Sequence, residues 1–100
     1  MLAYRITYTN YDLKNSNVQR LKKDMKNLYW LKGEEPKDWT QFDNQIEFNS
    51  QQSRGGDCVE IIFDEEMREG WINSMLQSLK RKKNVRTIEK VLSYNQYEEI

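Results

Sequence analysis

An α+β sandwich is the fold class the chain predicts, on three observations. Residues Leu2 to Thr9 alternate strictly, with Leu2, Tyr4, Ile6 and Tyr8 on one side and Ala3, Arg5, Thr7 and Thr9 on the other, the period of a half-buried strand. Two later segments carry apolar residues at helical spacing, and three more alternate like the first. Their order is strand, helix, two strands, helix, strand, which in 100 residues favours a four-stranded antiparallel sheet with both helices on one face.

After the first strand, Asn10 to Asn15 is a polar turn, and Ser16 followed by Gln19 matches a capping box. Val18, Leu21, Met25 and Leu28 then share one face of a first helix, with Arg20, Lys22, Lys23 and Lys26 on the rest. Gly33 and Pro36 mark a loop flanked by Trp30 and Trp39. Phe42, Ile46 and Phe48 alternate with polar residues, which predicts a strand from about Thr40 to Asn49 with Asn44 as its one irregular inward position. Gln51 to Asp57, with Gly55-Gly56, predicts a hairpin connection, and Val59, Ile61 and Phe63 face inward in the third strand.

Asp64 is placed to cap a second helix that carries Glu65 and Glu66 in its first turn and Lys80 to Lys83 in its last, so that charge opposes the helix dipole at both ends. Met67, Trp71, Ile72, Met75, Leu76 and Leu79 form its apolar stripe, and Gly70 within it suggests a close contact. The last strand, about Val85 to Tyr94, would point Ile88, Leu92 and Tyr94 inward; a helical reading of Val85, Ile88, Val91 and Leu92 is the alternative. Taken together these elements predict a single domain over residues 1–100 of ferredoxin-like βαββαβ form, with sheet order 4-1-3-2.

Composition bounds the function. Charged residues make up 32% and apolar residues 37%, enough apolar material for one modest core, and the net charge is zero, so attraction to an anionic partner has to come from local patches. The single Cys58 excludes an internal disulfide, and no apolar run approaches the ~20 residues of a membrane helix, so a cytoplasmic protein is expected. Histidine is absent, which removes the commonest general base and metal ligand, and no cofactor or metal site is expected.

The predicted topology gathers Arg54, Lys80, Arg81, Lys82, Lys83 and Arg86 at one end, where they could grip phosphates; the bland alternative is charge that complements a helix C-terminus. Trp30 and Trp39 border the loop as candidate protein-binding anchors, against the alternative that they pin it to the sheet. The outward residues of the sheet, among them Arg5, Thr7, Cys58, Glu60, Glu89 and Val91, include no aromatic, unlike an RNA recognition motif, which stacks bases on exposed rings.

Tyr11-Asp12-Leu13 before a Lys/Arg-rich helix resembles the start of the CRISPR-associated small endoribonuclease family, over about Tyr4 to Leu28. That resemblance implies a metal-binding aspartate at Asp12 in a ferredoxin-like dimer. Here Asp12 follows the alternating strand instead of ending it, and the ordinary reading is a turn aspartate bonded to its own backbone. The leading expectation is a small non-enzymatic interaction or regulatory protein that binds another macromolecule, a protein before a nucleic acid. Its abundant Lys and Asn suit a phage or mobile element, and an inhibitor of a host or defence protein. Binding of nucleic acid by the basic end is the alternative, metal-dependent RNA cleavage at Asp12 ranks third, and a homodimer through the open sheet face or an edge strand is a further expectation.

Overall fold

The computed structural model describes residues 2–9, 16–29, 35–50 and 58–100. They form β1 (Leu2–Tyr8), α1 (Ser16–Tyr29), α2 (Thr40–Gln45), β2 (Ile46–Ser50), β3 (Cys58–Phe63), α3 (Glu69–Lys80), β4 (Val85–Ser93) and β5 (Gln96–Glu99). The five strands make one antiparallel sheet in the order β2-β3-β1-β4-β5. The domain is thus mixed α+β, but α2 and β5 take it beyond the expected four strands and two helices.

The alternation in β1 has the expected consequence. Ile6 lies between Val59 and Ile88 in the sheet, all three are buried, and the stripes of α1 (Leu21, Met25) and α3 (Ile72, Met75, Leu76, Leu79) close over that face. Tyr4 meets Phe63 edge to face, with ring centroids 6.0 Å apart. Leu2, Phe48 and Trp71, expected inside, are half-buried at the margin of this core. No helix among the described residues is long and apolar enough to cross a membrane.

Four local expectations are corrected. Residues 40–45 are helical, not extended: Asp38 accepts the Thr40 N–H (2.9 Å) and hydroxyl (2.5 Å), which holds the chain in a turn as it enters the helix. Phe42 and Ile46 are four apart, a spacing that serves a helix as well as a strand, and both are buried. Asp64 does not cap α3; its carboxylate accepts the Glu66 N–H (2.9 Å) in a separate turn, and the helix begins at Glu69. α3 ends at Lys80, leaving Lys82 and Lys83 in the following turn. Gly70 makes no close contact among the described residues, since a Cβ there would meet none of them within 4 Å.

The last correction concerns the end of the sheet. β4 is a strand, and Ile88 is buried as expected, but Leu92 is 53% exposed and Tyr94 92% exposed. Pairing with β1 ends at Tyr4 opposite Lys90, so the rest of β4 extends past the layered body and pairs with β5 instead. The turn Asn10 to Asn15 with Lys14 and Asp12, the hairpin Gln51 to Asp57, and the capping role of Ser16 lie outside the described residues.

Candidate protein-binding edge

The chain reverses at Tyr94-Asn95. Asn95 has φ 60°, the left-handed region that asparagine tolerates better than most residues, and the Ser93 hydroxyl donates to Gln96 Oε1 (2.7 Å) across the closing pair. On the far side of the hairpin the Ile100 N–H donates to the Ile88 carbonyl (3.0 Å), and Ile100 packs against the core margin. The strand is therefore tied at both ends while its own four residues are exposed.

Tyr97 pairs with Val91, on the sheet face opposite the helices. Its ring lies under the Arg5 guanidinium, 3.5 Å from the ring centre, and Arg5 Nε and Nη2 donate to one Glu89 oxygen at 3.1 and 2.9 Å. Arg5 is consequently 6% exposed, and Thr7 and Cys58 on the same face are buried too, with the Thr7 hydroxyl donating to the Cys58 sulfur at 3.7 Å. The outer face is thus neither free of aromatics nor fully open. Across the row, Glu60, Arg5, Glu89 and Glu99 stand side by side on four strands.

Beyond this anchor the hairpin presents apolar surface. Leu92, Tyr94 and Tyr97 are the exposed large hydrophobic residues among those described, and all three sit on β4, β5 or the turn between them. Sequence reasoning missed this edge because it ended the last strand at Tyr94; the available signal was Asn95, a turn residue between two alternating pairs.

The other candidates are placed differently. Trp39 is half-buried, edge-on to Phe42 (5.5 Å between centroids) with the Lys26 ammonium over its ring at 5.2 Å, so it pins the segment before α2 to the body. Lys80, Arg81, Lys82, Lys83 and Arg86 are all exposed, from the last residue of α3 through the turn to the start of β4, and Thr9 fastens that turn through its N–H to the Asn84 carbonyl (2.9 Å). Trp30, Arg54 and Asp12 lie outside the described residues. No group of three or more Cys, Asp or Glu residues is arranged to hold a metal among the described residues. No family model, curated protein or solved structure matches the chain.

Proposed function

We propose that this protein acts by binding another protein through the β4–β5 hairpin and does no chemistry of its own. The supporting observation is that Leu92, Tyr94 and Tyr97, the exposed large hydrophobic residues among those described, all lie on the β4–β5 hairpin. Single exposed apolar residues are ordinary, but three large ones on one short hairpin are less so, and tyrosine is enriched among residues that dominate interface energy. The Arg5–Tyr97 stack and the Ile100–Ile88 bond hold the edge in place before binding, which lowers the ordering cost of docking.

The test is retention of a binding partner by the immobilised native chain and its loss from the Leu92→Ser/Tyr94→Ser variant, with circular dichroism showing both folded. Equal retention by the variant removes the hairpin from the reading, and no partner at all removes the reading. A dimeric mass in light scattering that reverts to the 12.2 kDa monomer in the variant identifies the partner as a second copy. The basic turn supports a second reading, phosphate binding, because its five exposed cations lie within seven consecutive residues.

A further inference from the structure

At the opposite edge of the sheet from the hairpin, a groove of about 710 Å³ runs along β2. It is lined by Ile46, Glu47 and Phe48 of β2, by Lys22 and Lys26 of α1, and by Asp64 beyond β3. Strand β2 pairs only with β3 among the described strands. Because the Asp64 N–H donates to the Gln45 carbonyl (2.8 Å), alternation along an antiparallel ladder turns the backbone groups of Glu47 and Asn49 toward β3 and those of Ile46 and Phe48 away from it. The Ile46 N–H is taken by the Phe42 carbonyl of α2, which leaves the Ile46 carbonyl and both Phe48 groups turned away from β3, on the edge that has no partner strand among those described.

Side chains alternate in the same strand. Ile46 and Phe48 lie on the helix side and Glu47 on the outer side, where it is exposed. The lining holds four carboxylates against two ammonium groups. Both ammonium groups are engaged within the wall: Lys22 over the Phe48 ring at 5.5 Å, Lys26 over Trp39 and Phe42 and 3.9 Å from Asp43.

We propose that this groove docks an extended peptide alternating cationic and apolar side chains, which adds to the sheet as a strand beside β2. Its backbone would pair with the Phe48 groups that face away from β3, its apolar side chains would cover the half-buried Phe48 ring, and its Lys or Arg residues would lie beside Glu47 on the outer face. Charge and alternation thus select the same occupant. This site is independent of the hairpin.

The full chain would be titrated with a fluorescent alternating Lys-Val peptide, its Glu-Val counterpart, and a Lys-Val peptide N-methylated on the amides that face β2. The Lys-Val peptide should bind, slow exchange of the Phe48 amide, and lose at least about tenfold in affinity with Glu47→Lys, less with Glu47→Gln. The Leu92→Ser/Tyr94→Ser variant should bind it unchanged. Failure of the Lys-Val peptide to bind, equal binding by either control peptide, or protection at β5 in place of Phe48 would each overturn the proposal.

Discussion

The Arg5 guanidinium lies 3.5 Å from the centre of the Tyr97 ring, which joins the central strand of the sheet to its edge across β4. The contact depends on the ring face and not on the phenol hydroxyl. Tyr97→Phe should therefore change stability by no more than about 0.5 kcal/mol, whereas Tyr97→Leu should cost about 1 kcal/mol and speed amide exchange in β5. Urea unfolding and hydrogen exchange measure both; equal costs for the two variants would show that the stack contributes nothing.

Gly70→Ala should stabilise the protein by up to about 0.5 kcal/mol, less than in a helix interior, because Gly70 is the second residue of α3. The residue is exposed in the first turn of α3, and its missing Cβ would meet no neighbour among the described residues, so only the entropic cost of glycine in a helix remains. A lower melting temperature for the alanine variant would show a constraint that the fold does not display.

How much of this was legible in the sequence depends on whether local pattern and tertiary context agree. In β1 they agree: alternation sets the buried side, and Ile6 has no exposed surface. At Phe42 and Ile46 one spacing satisfied two periods, and the inward Asn44 was the sign that a strand did not fit. Leu92 shares the parity of Ile88, yet burial depends on how far β1 reaches alongside, which no local pattern encodes. The β4–β5 edge was hidden for a related reason: the stack of Arg5 on Tyr97 joins residues 92 positions apart.

Tyr8→Phe should be neutral or stabilising near neutral pH and should raise resistance to alkali. The Tyr8 hydroxyl is buried without a hydrogen-bond partner among the described residues, so deleting it removes a desolvated polar group. Burial, reinforced by the Asp24 charge, raises its pKa well above the ordinary 10.0. The unfolded chain loses this proton first, so stability is undiminished below about pH 10 and falls as pH rises above it. The alkaline unfolding midpoint of the phenylalanine variant should lie higher, and an unchanged midpoint would show that Tyr8 does not contribute.

Lys80→Glu/Lys82→Glu/Lys83→Glu tests the phosphate-binding reading. If the exposed turn grips phosphates, the native chain binds DNA or RNA at about 50 mM salt, binding weakens steeply as salt rises, and the triple variant abolishes it. No binding by the native chain ends that reading, and binding that survives the substitutions moves it to another surface.

Ile88→Ala and Leu92→Ala should differ sharply although both residues lie on β4 with the same parity. Ile88 sits opposite Ile6 with 1% of its surface exposed, and truncating it leaves a cavity under α3, for which about 2–5 kcal/mol is expected. Leu92 lies past the last β1 pair and is 53% exposed, so its truncation removes little buried surface and should cost below about 0.5 kcal/mol. Chemical denaturation of the two variants decides it. A core-like cost at Leu92 would mean that the hairpin folds back onto the body, and the exposed surface assigned to partner binding would then be part of the core.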